Sequence, residues 1–278
     1  MENPTAKISV IMPAYNAGKY IEKSVNSVLR QSWSNLELIV INDGSKDNTA
    51  ELLEGMARRD SRLRPATVSN GGPAMARNAG LDMVSPDTEY IMFIDSDDEL
   101  LPEAAEYALK GSAGADITVF GFSIAGTDGS VRDYTEPEAL MDRAAFGESF
   151  PGLYKANLLN QVWGKLFRAG LIQKNHIRFQ DYRWGEDRLF IFDCLEKAEK
   201  IKVLPRCGYR YIMHEGESLI TKYYDKKFEV CCEIDRRAEK LCSELGTAED
   251  ADFRYMFAKS VISCLTNLFS VSCSMSRA

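Results

Sequence analysis

The first hundred residues alternate between short runs of consecutive apolar residues and segments in which apolar residues recur at helical spacing. Consecutive apolar residues predict strands buried on both faces, as in a parallel sheet, because such strands do not alternate with polar positions. The strands are predicted at residues 7–13, 36–41, 63–68 and 90–94, and the helices at residues 20–31, from 48 onwards and at 74–84. This alternation predicts an α/β protein with a Rossmann-like, mostly parallel sheet flanked by helices.

The second half of the chain has a less regular pattern. Strands are predicted at residues 116–123 and 201–213, and helices at 102–110, around Leu171 and up to Leu195, whereas residues 131–150 are polar with a weak helical pattern. Two long helices are predicted at residues 226–245 and 252–271. Apolar side chains line one face of the second long helix, at Phe253, Met256, Phe257, Val261, Leu265 and Leu268. With no internal repeat or low-complexity linker, the pattern predicts one domain with a C-terminal helical tail.

Composition narrows the class of protein. The 278 residues are 45% hydrophobic and carry a formal net charge of -7, and they contain no basic cluster, so no nucleic-acid partner is expected. Seven cysteines lie at irregular spacings without a C-x-x-C pair, which predicts neither a disulfide framework nor a zinc site. The polar N-terminus and the lack of a run of about 18 apolar residues predict a cytoplasmic protein with at most peripheral membrane contact.

Three carboxylates, Asp95, Asp97 and Asp98, follow the apolar run at residues 90–94. Ligands of open α/β sheets bind at the carboxyl ends of the strands, where these acids are expected to lie. Such close negative charges are costly unless a cation compensates them, and Mg²⁺ and Mn²⁺ commonly share carboxylate ligands with substrate phosphates. A solvated acidic turn is the alternative. Neither G-x-G-x-x-G after the first strand nor a G-x-x-x-x-G-K-[ST] loop is found, so a nucleotide must be held in another way.

An ordered set of fragments resembles the family-2 glycosyltransferases that use nucleotide-diphospho-sugars. The fragments are SVIMPAYN at 9–16, IVINDGSKDNT at 39–49, NGG at 70–72, ARNAGL at 76–81, FIDSDD at 93–98, WGKLFR at 163–168 and GED at 185–187. Each fragment is weak alone, whereas the ordered set is specific. The resemblance implies the GT-A fold and an inverting, metal-dependent transfer, with a UDP-sugar as the expected donor. The implied acceptor is a hydroxyl of a glycan or lipid-linked molecule in surface polysaccharide synthesis.

The resemblance also implies roles for individual residues. The residues expected at the donor nucleotide are Pro13, Ala14, Tyr15, Asp43, Arg77, Asp95 and Ser96. Asp43 is expected to accept a hydrogen bond from the uracil N–H, although it is also a candidate for a local Asx turn. Asp95 is expected to hold the ribose hydroxyls, and Arg77 either neutralises a phosphate or orients Asp43. Asp97 of the DxD motif is expected to bind Mn²⁺ or Mg²⁺ across the diphosphate.

Asp187 is the implied general base, with Glu186 as the alternative. An acid at the start of a helix usually caps it, and that position is expected to lower the pKa of Asp187. His214 is predicted to be a further metal ligand or a phosphate contact, although a lone histidine is more often structural. Asp98 is expected to face away and support its loop, while Lys165 either binds phosphate or pairs at the surface.

The resemblance also predicts domain boundaries, and the sequence leaves two alternative functions to compare. Residues 1–222 are predicted to form the GT-A domain, with a nucleotide-binding half at 1–100 and an acceptor-binding half at 101–222. Residues 223–278 form a helical extension whose apolar face is a candidate homodimer contact. A nucleotidyltransferase normally has a glycine-rich loop after its first strand, which this chain lacks. A non-catalytic nucleotide-sugar-binding or scaffold protein of the same fold is the remaining alternative, and the presence of both Asp97 and Asp187 argues against it.

Overall fold

The computed structural model describes residues 5–214, 224–247 and 251–268. The strands are β1 Lys7–Ala14, β2 Leu36–Asn42, β3 Leu63–Thr67, β4 Thr88–Phe93, β5 Glu99–Leu100, β6 Ile117–Ala125, β7 Val131–Tyr134, β8 Ala139–Asp142, β9 Lys165–Arg168 and β10 Lys200–Ile212. The helices are α1 Ile21–Leu29, α2 Thr49–Ala57, α3 Pro73–Asp82, α4 Ala104–Gly111, α5 Arg143–Lys155, α6 Ala169–Lys174, α7 Glu186–Lys197, α8 Lys227–Leu245 and α9 Ala251–Leu268.

All ten strands of the described residues belong to one sheet, and eight of them follow the order β3-β2-β1-β4-β9-β6-β10-β5. The first four strands of this order pair in parallel, and β9 lies antiparallel between β4 and β6. Because β9 is antiparallel to both of its neighbours, β6 runs in the same direction as β1 to β4. Strand β10 is parallel to β6 and so shares this direction. The short strands β7 and β8 pair antiparallel with β6 and β10. The mostly parallel α/β sheet flanked by helices, with a helical C-terminal region, is therefore confirmed.

Helix α3 packs directly on strands β1 and β2. Gly80 makes this approach possible, because a Cβ atom at this position would overlap Cγ2 of Ile11 in β1. The helix begins after Gly72, which has a φ of +88°, and Pro73 occupies its first turn. The close contact fixes the rotation of α3 over the sheet, and with it the direction in which Arg77 points.

Two local predictions differ from the structure. Residues 131–142, predicted as weakly helical, contain β7 and β8, whose largely exposed side chains give them the polarity typical of edge strands. The first strand was expected to end at Pro13, yet β1 continues to Ala14 and Pro13 pairs with Ile41. A proline is tolerated there because β1 pairs with β4 only as far as Ile11, so one edge of β1 is already out of the ladder.

The apolar stripe of the last helix is not a core face. Met256 is buried, whereas Phe257, Val261 and Leu265 are 55%, 45% and 52% exposed. The side chains of Phe253 and Leu268 lie outside the described residues. No helix in the described part of the chain combines the length and apolarity that crossing a bilayer requires.

Helix α8 packs against the turn that precedes α7. Gly185 in this turn has a φ of +84°, and a Cβ atom there would lie 2.8 Å from Cγ1 of Val230 and 2.9 Å from Cδ1 of Ile234. Both contact atoms belong to α8, so the C-terminal region is built around a position that only glycine fills. Glu186 and Asp187 follow immediately, so the packing of α8 on Gly185 fixes the position of the backbone that carries these two acids.

Replacing Gly185 with alanine should destabilise the protein by about 2 to 4 kcal/mol, because a side chain at positive φ is strained and the methyl group overlaps α8. Urea denaturation measures the loss. The matched variant Val230→Ala removes one of the overlapping groups. The loss in the double variant G185A/V230A should therefore be smaller than the sum of the two single losses. Additive losses would contradict the packing described here.

Candidate active site

The guanidinium of Arg77 lies at the centre of a cluster of acids at the carboxyl edge of the sheet. It is 4% exposed, and its Nη2 lies 2.8 Å from Oδ1 of Asp95 in the loop after β4. Its Nη1 lies 2.9 Å from Oδ1 of Asp187 and 3.1 Å from Oε1 of Glu186 in the first turn of α7. One side chain of α3 thus joins the loop after β4 to the start of α7.

The electrostatics of this cluster differ from the prediction for Asp187. Burial raises the pKa of Asp187, and the nearby charge of Arg77 opposes the rise without cancelling it. Burial and the charge of Asp187 likewise raise the pKa of Glu186. The lowered pKa expected for an acid at a helix N-terminus is wrong, because desolvation of the carboxylate outweighs the helix dipole. Burial disfavours the cation of Arg77, but the three carboxylates raise its pKa and keep it charged.

This geometry gives Arg77 a role that neither sequence-based alternative anticipated. Within the described residues, its side-chain hydrogen bonds go to Asp95, Glu186 and Asp187 rather than to Asp43. A buried guanidinium with planar donors suits such a junction, since it binds several carboxylate oxygens at once.

The second oxygen of Asp187 is also held. The backbone N–H of Val162 donates to Oδ2 of Asp187 at 3.3 Å. Lys165, in β9, is 2% exposed, and its Nζ donates to the carbonyl oxygens of Gln161 at 2.6 Å and Trp163 at 3.2 Å. Burial lowers the pKa of Lys165 to about 7, with Asp187 opposing the change. The expectation that Lys165 pairs at the surface is wrong, because its side chain is buried, and its binding to phosphate stays a prediction.

Asp98 supports the acidic loop, as expected. It is fully buried, accepts hydrogen bonds from the hydroxyl of Tyr209 at 2.6 Å and the N–H of Ile212 at 2.8 Å, and its pKa is raised by burial and by Asp95 and Asp97. The hydroxyl oxygen of Tyr209 also accepts a hydrogen bond from the N–H of Asp95 at 3.2 Å. The acids lie beyond the end of β4, in a loop held by β10, so strand alternation does not set their directions.

Asp97 and His214 are neighbours, as the metal prediction requires. Oδ2 of Asp97 lies 3.8 Å from Nε2 of His214, and the imidazole stacks on Tyr20 with ring centroids 4.0 Å apart. Burial and the charge of Asp95 raise the pKa of Asp97, and His214 opposes the rise. No group of three or more His, Cys, Asp or Glu side chains in the described ranges is arranged to hold a metal ion. Two protein ligands still fit Mg²⁺ or Mn²⁺, which usually keep water and substrate phosphate oxygens as further ligands.

Asp43, directly after β2, joins the end of β1 to the loop after β3. Its carboxylate accepts hydrogen bonds from the N–H groups of Gly71 at 2.7 Å and Gly72 at 2.8 Å, and its own N–H donates to the carbonyl of Ala14 at 2.8 Å. These bonds reach across the chain, so the local Asx turn is not what the structure contains. Tyr15 is 52% exposed beside this junction.

The predicted donor-site residues therefore occupy one edge of the sheet, with different surroundings. Pro13 and Ala14 are buried at the end of β1, and the carbonyl of Ser96 accepts a hydrogen bond from the hydroxyl of Ser24 at 2.9 Å. Sequence reasoning missed Val162 and Tyr209. Neither has a local signal, since Val162 acts through its backbone and Tyr209 lies 111 positions from Asp98.

A parallel half-sheet whose carboxyl edge carries an acidic loop and a second pair of acids agrees with the GT-A fold expected from the sequence. The chain belongs to glycosyl transferase family 2, whose family model matches residues 9–181. This match ends before Glu186 and Asp187.

Similar proteins agree with this assignment. The chain is 29% identical over 209 residues to the uncharacterized glycosyltransferase EpsJ of Bacillus subtilis, covering 73% of this chain and 60% of that protein. It is 28% identical over 225 residues to the poly(ribitol-phosphate) beta-N-acetylglucosaminyltransferase TarP of Staphylococcus aureus, covering 76% and 64%. It thus spans less than two thirds of the length of either relative. The structure of S. aureus TarS 1–349 in complex with UDP-GlcNAc matches with a TM-score of 0.68 and 24% identity over 96% of this chain and 73% of that one, which shows the shared fold.

Replacing Arg77 with methionine should destabilise the fold by about 3 to 5 kcal/mol at neutral pH, because buried carboxylates lose their partner. The pKa values of Glu186 and Asp187 are raised above those of the unfolded chain, so stability is lost as the pH rises from the unfolded to the folded pKa values. Below about pH 4 the acids are protonated in the unfolded chain too, and the difference from wild type should shrink. Urea denaturation at pH 4 and pH 7.5 measures both values.

The control for this experiment is Arg206→Met. Arg206 is 55% exposed and pairs with the exposed Glu103, so its loss should cost at most about 1 kcal/mol at either pH. Equal losses for the two variants would contradict the central position assigned to Arg77.

Proposed function

We propose that this protein is a metal-dependent, inverting glycosyltransferase that moves a sugar from a UDP-sugar to an acceptor hydroxyl. The observation that carries the proposal is the arrangement around Arg77. This residue fixes one oxygen of Asp187 and at the same time binds Asp95, in the loop that also carries Asp97. The candidate base and the candidate donor site are thereby tied together by one buried cation.

The proposed donor nucleotide lies against the loops joined by Asp43, with Ala14 and Tyr15 at the base and Asp95 at the ribose. The carboxylate of Asp43 accepts hydrogen bonds from Gly71, Gly72 and the side chain of Asn70, but Oδ1 carries only one of them, so it can also accept the uracil N–H. UDP-GlcNAc is the first donor to test, because the similar TarS structure contains it and the relative TarP is named as an N-acetylglucosaminyltransferase.

Asp97 and His214 are the residues proposed to hold Mn²⁺ or Mg²⁺. Asp95, Asp97 and Asp98 crowd one loop, where burial first and the repulsion of neighbouring carboxylates second raise the pKa values of Asp97 and Asp98. A divalent cation bound there would offset this repulsion and stabilise the negative charge of the departing diphosphate.

Asp187 is proposed to take the proton of the acceptor hydroxyl as that oxygen attacks the anomeric carbon. Its raised pKa favours this role, because a carboxylate that binds a proton more tightly is a stronger base. Arg77 and Val162 fix its two oxygens, which removes the need to orient the base during the reaction. A single displacement with one base inverts the anomeric carbon. The acceptor proposed is a glycan or lipid-linked molecule of a surface polysaccharide.

UDP should stabilise the protein only when Mn²⁺ is present, by about 2.7 kcal/mol at a nucleotide concentration of one hundred times Kd. Thermal unfolding with UDP, GDP or no nucleotide, each with and without Mn²⁺, measures the shift. Asp97→Asn should abolish most of this Mn²⁺-dependent shift. A larger shift with GDP would change the donor class, and no shift with any nucleotide would refute the donor site.

Asp187→Asn should lower kcat for UDP release from the preferred UDP-sugar by about 10² to 10⁴, because an amide cannot accept the proton. Binding of UDP should stay within about twofold of wild type, since the amide keeps the shape of the side chain. Glu186→Gln is the matched control and should cost less activity than D187N. A greater loss in E186Q would assign the base to Glu186, and a wild-type protein that binds UDP-sugars without releasing UDP would favour the non-catalytic alternative.

A further inference from the structure

Lys165 places a buried ammonium on β9, in the middle of the sheet, where lysine side chains are rarely found. The side chain is 2% exposed and lies on a strand between β4 and β6. Removing an ammonium from water costs several kcal/mol unless hydrogen bonds and an opposite charge compensate it, and an apolar side chain fills such a position without that cost. In the described part of the chain, no carboxylate lies within ion-pair distance of Nζ, whose hydrogen bonds go to the carbonyls of Gln161 and Trp163.

The first of these bonds reaches the candidate base through a single peptide group. The carbonyl of Gln161 and the N–H of Val162 belong to the same planar peptide unit and point in opposite directions. Lys165 binds the oxygen of this unit at 2.6 Å, and Oδ2 of Asp187 accepts from its nitrogen at 3.3 Å. The peptide is therefore held at both ends, by a cation on one side and by the carboxylate on the other.

Side-chain packing holds the segment that carries this peptide, because Val162 is buried and Trp163 stacks on Tyr209 with ring centroids 4.4 Å apart. Two of its side-chain oxygens, however, Oδ1 of Asn160 and Oε1 of Gln161, are buried and accept no hydrogen bond from the described residues. Gly164, directly before β9, has a φ of +69°, which removes the steric restriction that a side chain would add. The two bonds from Lys165 to Gln161 and Trp163 bracket Val162, and they fix the orientation of its N–H.

We propose that Lys165 is a positioning residue for the transfer reaction: its ammonium, acting through the Gln161–Val162 peptide, fixes and polarises the hydrogen bond to Oδ2 of Asp187. The inference rests on the proposed function, in which Asp187 is the base. A cation at the carbonyl end strengthens the donor at the N–H end, because consecutive hydrogen bonds polarise one another. Arg77 donates directly to Oδ1 of Asp187. Each oxygen of the carboxylate is therefore linked to a cation, Oδ1 directly to Arg77 and Oδ2 through the peptide to Lys165.

The experiment compares wild type with Lys165→Met, which retains the length of the side chain without its charge. UDP release from UDP-GlcNAc, or from the UDP-sugar that wild type hydrolyses fastest, is followed with water as the acceptor. We expect kcat to fall about 10- to 100-fold in K165M, because a misplaced base costs that much. The KM for the donor and the UDP-induced shift in Tm should stay within about twofold of wild type.

The matched control is Lys202→Met. Lys202 is also a buried strand lysine, 8% exposed in β10, but it pairs with Glu138 at the opposite end of the strand from the acidic loop. K202M should retain wild-type kcat. A K165M protein with wild-type kcat, or one that loses UDP binding in proportion to kcat, would overturn the inference.

A double-variant cycle separates positioning from a general loss of structure. If Lys165 acts through Asp187, adding K165M to D187N should lower kcat no further. Independent, multiplicative losses would show that Lys165 does not act through the base.

The effect of Lys165 on the Gln161–Val162 peptide can also be measured without enzyme turnover. This measurement distinguishes failure of the present inference from failure of the proposed function. In protein labelled with ¹⁵N-valine, hydrogen exchange at the Val162 amide should be about tenfold faster in K165M than in wild type and unchanged in K202M. An unchanged exchange rate in K165M would refute the proposal that Lys165 fixes this peptide. Absence of both UDP binding and UDP release in wild type would refute the proposed function, and with it the catalytic role of Lys165.

Discussion

A single buried guanidinium holds the acidic edge of this sheet in place. Arg77 is 4% exposed and faces Asp95, Glu186 and Asp187, so one positive charge is shared among three negative ones. Burial raises the pKa values of Glu186 and Asp187, and the single positive charge of Arg77 opposes the rise without cancelling it. A site in this condition gains free energy by binding a proton or a cation, which is the property that a general base requires. The burial that makes these ionised acids costly to the fold at neutral pH therefore also makes them stronger bases.

Two glycines give this arrangement its geometry. Gly80 lets α3 lie against β1, which brings Arg77 over the end of the sheet. Gly185 lets α8 lie against the turn before α7, which brings Asp187 towards Arg77 from the other side. The two close contacts thus bring Arg77 on α3 and the acids at the start of α7 within hydrogen-bond distance of each other. The helical C-terminal region is thus part of the scaffold of the candidate site, although the family match ends at residue 181.

The sequence predicted the parallel half of the sheet because its strands are continuous apolar runs with a fixed physical meaning. It also predicted the acidic loop, since Asp95, Asp97 and Asp98 are adjacent in the chain. The partners of Arg77 were not predictable from spacing, because Glu186 and Asp187 lie 109 and 110 positions away. Lys165 was misassigned because lysine is normally a surface residue, and only the pairing of β9 with β4 and β6 buries it.

Strand β9 also constrains the order in which the chain assembles. It enters the middle of the sheet, between β4 and β6, although both of those strands precede it in the chain. During synthesis, the edge of β4 that receives β9 therefore stays unpaired until about residue 168 has left the ribosome. An open edge on a buried apolar strand is a site for pairing with other chains. We expect the nascent N-terminal half to be the species that most needs a chaperone, and the insertion of β9 to end that exposure.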